Sequence, residues 1–138
     1  FNVSLKTCPE HNQRYGYLQI VYDKNIVKPL PINKVNVDLG HRTTPLIKLK
    51  ELAKKYKIKN IYIKDEGENP TGSFKDRENF IFFNYLIEQN ITSEIYLISS
   101  GNAALSTAAY AKKARYICNC YIPSNTSQIK KKLIMISI

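Results

Sequence analysis

The sequence predicts an α/β protein with parallel strands and right-handed crossovers. Three observations carry that prediction. Short apolar runs of strand length, at residues 60–63, 95–98 and 116–122, alternate with longer segments of helical periodicity. The run at 95–98 is apolar throughout, as in a parallel sheet covered on both faces. The first two runs lead straight into turn-forming residues, where open α/β sheets carry their binding turns.

In chain order, residues 1–35 form an N-terminal segment. Cys8-Pro9-Glu10-His11 has the spacing of half a zinc site. No second ligand pair lies nearby and zinc takes four ligands, so no metal is expected, only a loop with a packed Cys8 and a strand over 17–22. Pro29-Leu30-Pro31 reads as an extended linker. Residues 36–138 carry the alternating pattern. Pro45 starts a turn and disfavours helix at Thr44. A short helix over 49–56 places Leu49, Leu52, Ala53 and Tyr56 on one stripe.

The strand at 60–63 then enters a corner built from Pro70, Thr71, Gly72 and Ser73. Gly72 can take positive φ, and Ser73 is expected to cap the next helix. Lys75 therefore falls in the first turn of a helix. The positive end of the helix dipole disfavours an ammonium there. Arg77 is expected to push the same way, and Asp76 to partner Arg77. A neutral amine suits Schiff-base chemistry with an aldehyde; the plain alternative is a solvated lysine at an ordinary corner. Phe80, Phe83, Leu86 and Ile87 form the stripe of this helix, widened by Ile81 and Phe82, so burial on more than one side is expected.

The strand at 95–98 delivers Ser99-Ser100-Gly101-Asn102 onto a helix over 103–114. Its inner face is nearly all alanine, which lets the backbone approach a sheet or ligand closely. The N–H groups at its start form an anion site suited to a carboxylate; the alternative is a capped helix that only packs. Cys118 and Cys120 in the third strand read as packing residues. Pro123-Ser124-Asn125 makes a turn, and a further helix begins at 128.

The chain has 138 residues, 43% of them hydrophobic, and a net charge of +10. Lysines cluster at Lys54, Lys55, Lys57 and Lys59 and at Lys130, Lys131 and Lys132. No nucleic-acid motif accompanies them and the tyrosines sit in apolar runs, so solvated faces are expected and no nucleic-acid partner. No run approaches the roughly 18 apolar residues of a membrane span. Three cysteines argue against a disulfide framework and fit a reducing, cytoplasmic setting. The chain starts at Phe1 without methionine and stops inside a helical pattern, so a piece of a longer protein, truncated at its C-terminus, is expected.

Asn69-Pro70-Thr71-Gly72-Ser73-Phe74-Lys75-Asp76-Arg77 resembles the cofactor-lysine motif of fold type II pyridoxal-phosphate enzymes, the tryptophan synthase β superfamily. The form with Asp-Arg after the lysine most resembles the threonine synthase family; threonine dehydratases share the core from Pro70 to Lys75. Ser99-Ser100-Gly101-Asn102-Ala103-Ala104 is similar to the family loop that holds the substrate carboxylate and lays an asparagine beside the cofactor's ring hydroxyl. Gly40 to Leu46 resembles the family's G-x-x-x-T-P-L segment, with His41-Arg42 where Glu-Gly is usual. His41 reads as a surface substitution, not a base. Glu78 stands where glycine is usual and must point away from the close packing a glycine would allow. The N-terminal segment resembles the zinc-ribbon-like start of some members, in degenerate form, with His11 in place of a second cysteine.

The resemblance implies pyridoxal 5'-phosphate as cofactor, bound by Lys75 and oriented by Asn102. It implies Lys75 as the catalytic residue that moves protons, and Ser99, Ser100, Gly101, Asn102 and Ala103 as the substrate-binding residues. The implied substrate is a phosphorylated amino acid, O-phosphohomoserine, converted with water to threonine and phosphate. A homodimer of the full-length protein is implied too. The positive charge would favour the approach of phosphorylated molecules. Two alternatives stand beside this: a dehydratase or cysteate synthase of the same fold, and a degenerate domain without catalysis. The five glycines are isolated and offer no glycine-rich phosphate loop. Residues 1–138 alone are therefore expected to be inactive.

Overall fold

The computed structural model describes residues 2–7, 15–21, 32–40 and 42–137. The chain divides into two units, Phe1–Asn33 and Lys34–Ile138. In the first, β1 (Asn2–Thr7) pairs antiparallel with β2 (Tyr15–Val21), with a register shift between Leu5 and Thr7. Cys8, His11 and the linker at Pro29–Pro31 lie outside the described residues.

The second unit runs β3 (Leu46–Lys48), α1 (Lys50–Lys55), β4 (Tyr62–Lys64), a 3-10 turn (Glu66–Glu68), α2 (Lys75–Glu88), β5 (Ile95–Ile98), α3 (Asn102–Ala114), β6 (Cys118–Tyr121) and α4 (Gln128–Ser137). β5 and β6 are parallel, with Ile95 opposite Cys118 and Ile98 opposite Tyr121, and α3 is the crossover between them. β4 does not hydrogen-bond to this pair. It pairs antiparallel with β3, Ile63 opposite Ile47, and the ladder is extended by Leu49 N–H to Ile61 O and Asp65 N–H to Pro45 O. β3 is a strand the sequence pattern did not announce.

The core lies between α2 and α3. Of the predicted stripe of α2, Phe80, Phe83 and Leu86 are buried and Ile87 is half-buried; of the two residues expected to widen it, Ile81 is half-buried and Phe82 is exposed. The alanine face of α3 holds too, with Ala104, Ala108 and Ala111 buried. Phe83 stacks on Tyr110 at 6.2 Å and meets Tyr116 edge-on at 5.7 Å. Asn84, fully buried, anchors the approach to the site. Its side chain accepts from the N–H groups of Asn36 and Val37 and donates to Val37 O and Phe80 O.

Three helices end by one device. Lys57, Asn90 and Arg115 take positive φ after α1, α2 and α3. Each is followed by a six-to-one bond: Ile58 to Ala53, Ile91 to Leu86, Tyr116 to Ala111. This Schellman arrangement satisfies carbonyls that the helix end leaves free. It lets the chain reverse into β5 and β6 without a glycine.

Candidate functional site

Lys75 is the first residue of α2, at the corner that follows β4. Gly72 takes φ of +82°, as its turn requires, and its N–H donates to Asn69 O at 2.8 Å. The helix cap falls at Phe74, not Ser73. Ser73 is buried, and its Oγ accepts from Lys75 N–H only at 3.4 Å. Lys75 Nζ, on a half-exposed side chain, makes a 2.7 Å ion pair with Glu78 Oε2 and lies 5.2 Å from the Phe74 ring centroid. Glu78 thus points outward along the helix surface, toward the lysine.

Asp76 and Arg77 do not pair. Consecutive helical residues point about 100° apart and cannot face one another. Asp76 turns inward and is fully buried. Its carboxylate accepts from Thr71 N–H at 2.7 Å, from Thr71 Oγ1 at 2.6 Å and from Ser106 Oγ, on α3, at 2.6 Å. Asn79, one turn on, donates to Ser106 Oγ at 3.0 Å and accepts from Thr107 Oγ1 at 3.1 Å.

Arg77 turns the other way. Its fork donates to Glu66 through Nε at 2.6 Å and Nη2 at 2.9 Å, and Nη2 also reaches Thr44 Oγ1 at 2.9 Å. Thr44 donates to Glu66 at 2.8 Å, and Asn69 Nδ2 to the same carboxylate at 2.8 Å. Arg77, then Asn69 and Thr44, hold the Glu66 carboxyl down from 4.5 to about 2, against a smaller upward push from burial. Glu66 in turn raises the Arg77 guanidinium. Lys64 Nζ donates to Thr44 O, closing this cluster onto β4. Arg77 therefore spends its charge on Glu66 rather than facing Lys75.

Ser99, Ser100 and Gly101 form the turn between β5 and α3, Asn102 opens α3, and Ala103 follows. The turn is stabilised by Gly101 N–H to Ser99 Oγ at 3.3 Å and Ser99 N–H to Tyr121 O at 3.1 Å. Cys120 Sγ donates to Ser99 O at 3.7 Å, and burial pushes the Cys118 and Cys120 thiols up. Asn102 is exposed, and a Cβ at Gly101 would meet nothing within 4 Å, so the turn faces open space.

The helix contacts run in one direction: Asp76 to Ser106, Asn79 to Ser106 and Thr107, Phe83 to Tyr110. α2 and α3 thus point the same way, and Lys75 and Asn102 start at the same end of the pair. Among the described residues no hydrogen bond or ion pair joins Lys75 to the Ser99–Ala103 turn. A primary amine and an open, amide-headed helix start share one end of the fold, which suits an aldehyde beside a carboxylate. His41 lies outside the described residues.

The sequence pattern did not disclose Glu66, Thr44, Ser106 or Asn84 as partners. Ser106-Thr107 interrupts an alanine face, and Asn84 interrupts an aromatic one. Such polar breaks in a buried stripe signal a hydrogen-bonded partner.

Residues 37–136 match the family described as pyridoxal-phosphate dependent enzyme. Threonine synthase of Methanosarcina acetivorans is 39% identical over 72% of this chain and 29% of its own length. Threonine synthase of Methanocaldococcus jannaschii is 30% identical over 84% of this chain and 34% of its own. The chain thus spans about a third or less of the curated relatives it matches. Among solved structures, a hydrogen sulfide-producing enzyme of Fusobacterium nucleatum superposes with a TM-score of 0.60 at 28% identity, over 70% of this chain and 30% of that one. The processed threonine deaminase isoform 2 of Solanum lycopersicum superposes with a TM-score of 0.62 at 24% identity, over 70% and 26%, a likeness of fold.

Proposed function

The chain belongs to the pyridoxal-phosphate-dependent enzyme family and has the fold type II architecture, with pyridoxal 5'-phosphate as cofactor; from that premise we propose that it forms part of a threonine synthase. The whole protein would convert O-phosphohomoserine and water to threonine and phosphate. The observation that carries this finer reading is the likeness, at 30 and 39% identity, to two threonine synthases. Asp76-Arg77 after the lysine supports it.

The residues present fit the cofactor at its aldehyde end: Lys75 offers a primary amine at a helix start, and Asn102 an exposed amide. When bound, pyridoxal phosphate supplies an electron sink beside the substrate nitrogen. Lys75 would hold the cofactor at its aldehyde, and its amine would carry protons to and from the substrate Cα and Cβ. Phosphate departs from Cγ and a water oxygen adds at Cβ in the overall conversion. The Ser99–Ala103 turn holds the substrate carboxylate on the N–H groups at the start of α3. Asn102 would orient the cofactor with its exposed side-chain amide. For the Lys75 amine to serve, Glu78 must release it.

The test is release of inorganic phosphate from O-phosphohomoserine by the complete parent protein, with threonine as co-product. Lys75→Ala is expected to abolish it. A parent that binds the cofactor on Lys75 yet releases no phosphate would overturn this substrate in favour of elimination from Cβ, with serine and threonine as the next substrates.

A further inference from the structure

Asp76 is the neighbour of Lys75, and Ser106 lies one helical turn beyond Asn102. Both side chains are fully buried, and they meet at 2.6 Å. We infer that Asp76 and Ser106 are positioning residues that fix the start of α2 against the start of α3, so that the Lys75 amine and the Ser99–Asn102 turn face one space. The inference deepens the function proposed above and rests on it.

The contrast along one interface supports the assignment. Deeper in the fold, α2 meets α3 through Phe83 on Tyr110, an apolar contact. Apolar packing of the right size gives stability but tolerates small shifts of register. In the first turns, beside Lys75, the interface is polar. There Asp76, Ser106, Asn79 and Thr107 form a chain of hydrogen bonds between the helices. A buried carboxylate is costly to desolvate, and apolar residues would serve stability at lower cost. What the network adds is direction. Each bond fixes rotation and height together, and a misplacement of about 1 Å in a catalytic constellation can cost on the order of a hundredfold in rate. Thr71 extends the constraint to the corner itself: both its N–H and its Oγ1 donate to Asp76. The network thus grips the residue next to Lys75 from the turn before it and from the helix beside it.

The test uses the full-length parent protein loaded with pyridoxal phosphate. Ser106→Ala removes one hydroxyl from the network. Phe83→Leu loosens the same interface without touching the network, and Thr71→Val removes a hydroxyl at nearly constant volume should Ser106→Ala fail to fold. Three quantities are read: the melting temperature, the pH midpoint of the Lys75-dependent visible absorbance, and kcat and KM for O-phosphohomoserine. At matched loss of melting temperature, Ser106→Ala or Thr71→Val should shift the pH midpoint and lower kcat/KM by on the order of tenfold. Phe83→Leu should leave the midpoint in place and kcat/KM within about twofold. Network and core variants that behave alike would overturn the positioning role and leave the proposed function standing. A parent protein without any Lys75-dependent absorbance would overturn the proposed function itself, and the positioning role with it.

Discussion

The two sides of Lys75 solve the same problem in different ways. On the inner side, Asp76 is fully buried and surrounded by neutral donors. On the outer side, Glu66 and Arg77 form a bidentate ion pair at the surface, with side chains 25% and 37% exposed. Both clusters tie the lysine corner to distant chain: Asp76 to α3, and Arg77 to the Thr44 segment and the turn after β4. The inner tie is strong because Asp76 and Ser106 are closed off from water, which makes a lost partner costly there. The outer tie is tuned by pH and salt because water reaches it. Adjacent residues of opposite charge in a sequence invite the inference of a pair. Here helix geometry sends them to opposite faces, and each finds its partner through the fold.

Three substitutions sharpen this contrast. Asp76→Ala should have the largest effect. It leaves the buried Ser106 donor and the half-buried Thr71 donors without their acceptor, at a cost of about 3 kcal/mol, read as a lower midpoint in urea unfolding. An unchanged midpoint would show that water enters the network and that the two sides are alike.

Glu66→Gln should act mainly through pH. Glu66 sits at about 2 in the folded chain against an ordinary 4.5. A lowered folded value contributes stability above the ordinary one, and that stability is lost as pH falls through about 2. The parent protein should therefore lose stability from about pH 4.5 downward, and Glu66→Gln should be less stable at pH 7 with a flatter acid limb. Identical acid limbs would remove the ion pair from the account.

The smallest effect is expected at Arg115, which holds φ of +62° at the end of α3. Arg115→Gly should raise stability by about 0.5 kcal/mol by relieving a left-handed residue. It touches neither side of Lys75, so it should leave both contrasts intact.

Much of this was legible from the residues. The strand at 95–98 and the α2 stripe follow from short-range pattern, and the lysine corner from Pro70, Gly72 and the motif around them. β3 was not legible: Leu46, Ile47 and Lys48 are all exposed, with no alternation to mark a strand, and its pairing depends on β4. Glu66 lies eleven positions before Arg77, a separation no local period connects. The run at 95–98 suggested cover on both faces. Among the described residues α3 covers one face, while Tyr96 and Ile98 remain 63% and 83% exposed. Local pattern reports that a face is apolar, but only the fold reports what lies on it.

The most direct test of the account is to treat the cofactor-loaded parent protein with borohydride and map the reduced pyridoxyl label by peptide sequencing. The account predicts one labelled lysine, Lys75 at the head of α2, and no label in Lys75→Ala. Label on another lysine, or none at all, would contradict it.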